Sequence, residues 1–170
     1  SLLEPLYQAL RLQLLSTTYL QADETPISVL DKQKKGDSHQ GYHWVYYSPE
    51  QRLVLFDYQQ GRGKDGPGKL LKDYKGYLQT DGYAAYEQFE AREDIVLVGC
   101  MAHARRYFEH ALDNDKARAE KALLWMQQLY AVEREAREQN LSVEDRYLLR
   151  QQKARPVMDQ LGEWLVEELA

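Results

Sequence analysis

The 170-residue chain carries 22 basic and 27 acidic side chains, a net charge of −5, with 44% apolar and 29% charged residues. That length suits one sizeable domain, alone or with a small appendage, and the composition is that of a globular chain with an ample core. The acidic balance excludes a generic nucleic-acid coat held by a broad basic face, no apolar run reaches bilayer length, and the single cysteine, Cys100, excludes an internal disulfide and a multi-cysteine zinc site.

The opening SLLEPLYQAL has no basic stretch, no continuous apolar block and no small-residue cleavage site, so a cytoplasmic protein without membrane contact is expected. Leu2, Leu3, Leu6, Leu10 and Leu14 recur at three- and four-residue spacing and predict a helix over 2–16. Five short runs rich in β-branched and aromatic residues then predict strands: Thr18 to Asp23, Tyr42 to Tyr47, Arg52 to Tyr58, Gly76 to Thr80 and Ile95 to Gly99. Ser48-Pro49-Glu50-Gln51 reads as a turn that makes the second and third an antiparallel hairpin, and Gly36 to Gly41 as a polar loop ahead of it. Lys32-Gln33-Lys34-Lys35 and the lysines from 64 to 75 are candidate phosphate contacts or solvated faces. A glycine-rich stretch leads into a short helix around Pro67 to Tyr74, and further short helices follow Gly82 and Gly99.

The fifth strand, Ile95-Val96-Leu97-Val98, is apolar on both faces and predicts cover on both sides. The strand–helix–strand connections in this half must be parallel. From Met101 onward the pattern is helical, with Ser142 as an N-cap and Pro156 as a kink or interruption of the last helix. The expected architecture is α/β, a mixed five-stranded sheet flanked by helices over 1–112, followed by a helical extension over 113–170.

The chain writes one phrase twice, YLQAD at 19–23 and YLQTD at 77–81, 58 positions apart. Alternate strand residues share a face, so Tyr19, Gln21 and Asp23 point one way, as do Tyr77, Gln79 and Asp81. Side by side and parallel, two such strands deliver both aspartates to their carboxyl ends, where open α/β sheets place ligands. Neighbouring carboxylates repel unless a cation lies between them, and Mg²⁺ or Mn²⁺ suits such oxygen donors. The competing reading is that strands end in Asp because Asp suits turns and helix caps.

The strings ADETP at 22–26, WVYYSPEQRLVLFDY at 44–58, GYLQTDGYAAY at 76–86 and GCMAHARRYF at 99–108 resemble the catalytic domain of bacterial transposases of the insertion-sequence-66 family, over 17–112. The resemblance implies an RNase H-like fold with an Asp-Asp-Glu triad, in which Asp23 and Asp81 match the first two acids. It implies Mg²⁺- or Mn²⁺-dependent cleavage and strand transfer of DNA at element ends and target, in a homo-oligomeric complex. The family's third acid, a Glu in an Asn-rich, Arg-containing motif, has no match before Ala170. The expectation is therefore a fragment or decayed copy with two of three ligands of a two-metal site. A nuclease that only hydrolyses and a non-catalytic regulatory fragment are the alternatives.

Cys100 and His103 read either as half a metal site or as a buried thiol beside a helix-start histidine. His103, Arg105 and Arg106 are candidate DNA contacts, with an Arg pairing to Glu109 as the alternative. Gly63 to Lys69 fits the start of a P-loop, but Leu70 stands where Ser or Thr is required and Pro67 removes a backbone donor, so a nucleotide site is excluded. His39 and His43 read as solvated loop residues. Trp44, Tyr46, Tyr47 and Tyr58 read as base-stacking candidates or as sheet-surface filling.

Overall fold

The computed structural model describes residues 2–30 and 36–169; the basic cluster at 32–35 lies outside them. The chain divides into two compact units, residues 1–100 and 101–170. Among the described residues no helix is long and apolar enough to cross a membrane.

The first unit begins with α1 (Glu4–Leu15), whose early Pro5 suits the first helical turn, where a missing N–H costs nothing. A meander follows: β1 (Tyr19–Leu30), β2 (Ser38–Ser48) and β3 (Leu53–Gln59). The short helix α2 (Asp65–Leu70) crosses over to β4 (Gly76–Thr80), and a 3₁₀ turn at Ala84–Phe89 leads to β5 (Ile95–Gly99). The strand order is β3-β2-β1-β4-β5. The first three strands run antiparallel, and β4 and β5 are parallel to β1. This is the mixed five-stranded α/β sheet with flanking helices, of RNase H-like arrangement, that the sequence led us to expect.

Two strands exceed their predicted bounds. β1 continues past Asp23 through Pro26 to Leu30, paired with β2 in the register Pro26↔Tyr42 and Leu30↔Ser38. The register with β4 ends at Gln21↔Gln79, so from there β1 has a strand on one side only, which is where sheets tolerate proline. The predicted loop at 36–41 is largely the start of β2. Gly41 belongs there because a Cβ would come within 2.6 Å of the Tyr58 ring, so the ring lies across bare backbone.

Strand alternation sorts the side chains. Leu20, Trp44, Tyr46, Leu55, Leu78 and Ile95 turn to one face and pack with Leu14 of α1, Leu71, Tyr74, Tyr86 and Phe89 into the core. Trp44 meets Tyr86 edge to face, with ring centroids 5.8 Å apart. On the other face Val54, Phe56, Tyr58, Tyr77 and Val96 are exposed. The expectation that β5 is covered on both sides therefore fails at Val96, which is exposed, while Val98 on the same face is half-buried.

The second unit is helical: α3 (Met101–Ala111), α4 (Lys116–Glu138), α5 (Val143–Leu149) and α6 (Arg155–Leu169). Asp115 caps α4 by accepting the Arg118 N–H, and Ser142 caps α5 by accepting the Asp145 N–H at 3.1 Å. Ala122, Leu161 and Trp164 form its buried centre, packed by Phe108, Trp125 and Leu165. A wider i→i+5 turn at Arg150–Ala154 joins α5 to α6 just ahead of Pro156, which has no N–H to donate back into the preceding turn. Arg150 and Lys153 of that turn pair with Glu133 and Glu135 of α4.

Candidate functional site

The repeated phrase finds its explanation in the register of β1 against β4. Tyr19 lies opposite Tyr77, Leu20 opposite Leu78 and Gln21 opposite Gln79, so the two copies run side by side, letter against letter. Leu20 and Leu78 sink into the core together. On the other face the Gln21 side-chain amide donates to Gln79 Oε1 at 3.0 Å and to the Tyr19 hydroxyl at 3.0 Å, and the Tyr19 hydroxyl donates to the same Gln79 oxygen. The polar ladder locks the register, and the register delivers Asp23 and Asp81 to the same edge.

At that edge one carboxylate oxygen each from Asp23, Glu24 and Asp81 lie within 4.8 Å of one another. Asp81 follows the last residue of β4 and is fixed by a turn: its Oδ1 accepts the Tyr83 N–H at 2.9 Å, with Gly82 at φ +85° between them. Asp23 Oδ1 accepts the Glu24 N–H at 2.8 Å. Glu24 is held from outside, because the Arg62 guanidinium binds its Oε1 through both Nε, at 2.7 Å, and Nη2. Arg62 lies 3.9 Å over the Tyr83 ring, and the Tyr83 hydroxyl donates to the Arg62 carbonyl at 3.1 Å. A glycine-flanked loop is thereby clasped to the carboxylate cluster.

The Glu24 side chain is only 1% exposed, and its Oε2 is buried with no hydrogen-bond partner. Burial pushes its carboxyl above the ordinary glutamate range; Arg62 opposes that shift, while Asp81 and Asp23 add to it. Glu24 is the residue sequence reasoning missed. Strand alternation puts it on the core face, in register with Trp44 and opposite Asp23, so a face-by-face reading separates two carboxylates that come together beyond the end of the β1–β4 pairing at Gln21.

The other candidates belong to other elements. His103, Arg105 and Arg106 are on α3 in the second unit, where Arg105 pairs with Glu109 at 2.7 Å and Arg106 is exposed. Among the described residues no third histidine, cysteine or carboxylate joins Cys100 and His103 in a metal-ligating cluster. Within Gly63 to Lys69 it is Gly66 that serves packing: it is buried, and a Cβ there would sit 3.2 Å from the Trp44 indole nitrogen, whereas nothing lies within 4 Å of a Cβ at Gly63. Trp44 and Tyr46 fill the core, whereas Tyr47 and Tyr58 face outward. His39 and His43 are strand residues of β2. His39 is within 3.3 Å of the Tyr58 hydroxyl, and His43 packs edge-on against Phe56 and Tyr58, so neither is a loop residue.

Comparison with known proteins places the geometry in a family. The model of the transposase IS66 family matches residues 1–170. Three proteins of Sinorhizobium fredii (strain NBRC 101917 / NGR234) are similar: y4qI, 28% identical over 87% of this chain and 30% of its own length; y4hP, 27% over 99% and 34%; and y4jD, 29% over 97% and 34%. The chain thus spans about a third of the length of these curated relatives. Among solved structures, a chain of the simian T-cell lymphotropic virus intasome in complex with PP2A regulatory subunit B56 gamma overlaps at 14% identity and a TM-score of 0.37, over 78% of this chain and 46% of that one, too loosely to bear on fold or function. The match over its whole length shows that the chain belongs to the IS66 transposase family.

Proposed function

We propose that this part of the transposase supplies Asp23 and Asp81 as ligands for Mg²⁺ or Mn²⁺ in the cleavage and joining of DNA. The reading rests on one observation: registered parallel strands bring two acids, distant in sequence, within reach of a common ion. The donors fit such an ion, being carboxylate oxygens on a pre-formed edge, and Glu24, whose Oε2 is buried without a partner, is one of the clustered residues. When bound, a divalent ion supplies charge stabilisation for in-line displacement at phosphorus.

The chain's own residues do the rest. The turn through Gly82 and Tyr83 aims Asp81, the Gln21–Gln79 ladder holds the spacing between strands, and Arg62 holds Glu24 in place. Exposed Arg106, with His103 and Arg105 on the same helix, is offered to DNA phosphates. Arg105 must first give up Glu109. Element ends and target DNA are the substrates, engaged by a homo-oligomer. The Glu that completes the family's triad is assigned to no residue of this chain.

Calorimetric titration of this chain with Mn²⁺ tests the reading: binding is expected, and Asp23→Asn or Asp81→Asn should abolish it. In the whole transposase the same substitutions should remove cleavage and joining while DNA retention in a mobility-shift assay persists. Cleavage without joining would point to a hydrolytic nuclease. Indifference of every assay to both substitutions would point to a regulatory binding module and defeat the proposal.

A further inference from the structure

The geometry points to Glu24 as a third, in-chain ligand of the cation held by Asp23 and Asp81, with Arg62 as the residue that positions it. The inference rests on the reading of Asp23 and Asp81 as cation ligands. Adjacent acids are common, and proximity alone would say little. What separates Glu24 from its neighbours is the fate of its two oxygens. Oε1 is fully engaged by the Arg62 guanidinium, whereas Oε2 is buried, has no donor, and belongs to a side chain 1% exposed.

A buried carboxylate oxygen with no donor is costly, on the order of 1–3 kcal/mol or more for a charged group. A cation that Oε2 reaches removes that cost. An ion about 2.1 Å from each ligand spans up to about 4.2 Å between opposite oxygens, so a cluster within 4.8 Å closes by side-chain rotation of about half an ångström.

The division of labour resembles that of metal sites in which an outer group orients a ligand through its second polar atom. Here the outer group is itself anchored. Arg62 lies on the Tyr83 ring, Tyr83 donates its hydroxyl to the Arg62 carbonyl, and the Tyr83 N–H holds Asp81 Oδ1. Two of the three carboxylates are therefore oriented by one clasp, and the 61–63 loop becomes part of the site although it contributes no ligand.

Glu24→Gln is the discriminating variant. Glutamine keeps a carbonyl oxygen for Arg62 and replaces the Oε2 position with an amide nitrogen that cannot ligate a hard ion, so a merely structural Glu24 would be little disturbed. Calorimetry with Mn²⁺ is expected to show binding weakened about tenfold or more in Glu24→Gln at unchanged circular dichroism. Wild-type affinity in Glu24→Gln, with binding lost in Asp81→Asn, would overturn the role of Glu24 and leave the proposed function standing. Absence of Mn²⁺ binding by the wild-type chain would overturn both. If Glu24→Gln fails to fold, ¹³C NMR of the wild-type chain labelled at its carboxyl carbons decides. Added Mg²⁺ should shift the Glu24 Cδ resonance together with Asp81 Cγ, and movement of Asp81 alone would overturn the inference.

Discussion

Gly76→Ala is the substitution that most directly tests how the sheet sets the carboxylate spacing. Gly76 opens β4 at φ +131°, its N–H donates to Asp94 O at 2.8 Å, and a Cβ there would stand 2.4 Å from the Thr18 carbonyl oxygen. That oxygen is not movable at little cost, because it accepts the Tyr77 N–H at 2.9 Å and so begins the β1–β4 register. The left-handed backbone costs an alanine about 1–2 kcal/mol. Relieving the clash strains or breaks the Thr18–Tyr77 bond for about 1–3 kcal/mol more. Lower chain entropy in the unfolded state returns less than about 1 kcal/mol. The net loss should be about 3 kcal/mol, or roughly a 100-fold fall in amide-exchange protection of β1 and β4 peptides measured by mass spectrometry. Gly82→Ala is the control: its φ is +85°, but nothing lies within 4 Å of the added Cβ, so only the backbone term of about 1 kcal/mol should appear. A loss of protection under about fivefold in Gly76→Ala, or equal losses in both variants, would refute the argument that Thr18 and Gly76 pin the register.

Two further outcomes follow from the packing. Arg92 donates to the carbonyls of Leu71 and Lys72 at 3.0 Å and of Tyr74 at 2.7 Å while pairing with Asp94, so Arg92→Ala should cost about 2–3 kcal/mol in urea unfolding of the first unit, with Asp94→Ala costing far less. In the second unit the Arg150 guanidinium holds the Glu133 carboxyl below its ordinary range. A depressed folded-state value means that the stabilisation is complete above the ordinary glutamate value and is lost as pH falls through the depressed one. Thermal melts of Glu133→Gln should therefore show a deficit of about 0.5 kcal/mol near neutral pH that disappears in acid.

Element positions were legible in the sequence wherever period and punctuation agreed. β4 and β5 appeared at their predicted bounds because each is short, β-rich and framed by Gly, Asp or Thr. Pro26 and Gly41 misled, since both residues look like strand breakers. Pro26 is tolerated where β1 has lost its β4 neighbour, and Gly41 admits the Tyr58 ring; both are facts about partners in space, which a one-dimensional pattern does not carry. The same distinction holds at the site. Asp23 and Asp81 were legible because their surrounding phrase repeats and strand alternation fixes where they point. Glu24 was not, because alternation sends it to the core face, away from Asp23, and its partner Arg62 is 38 residues away in a loop with no motif to announce it.

The order of the strands also has a bearing on how the molecule assembles. β1, β2 and β3 are successive neighbours joined by short connections, so that portion closes few residues at a time. β4 must instead travel around the meander and insert on the far flank of β1, a closure with a larger entropic toll and a slower rate. A chain that has completed only its first three strands holds Asp23 and Glu24 but not Asp81. Any ligand requiring all three therefore recognises the finished sheet alone and stabilises it by mass action, leaving half-built molecules unable to capture it.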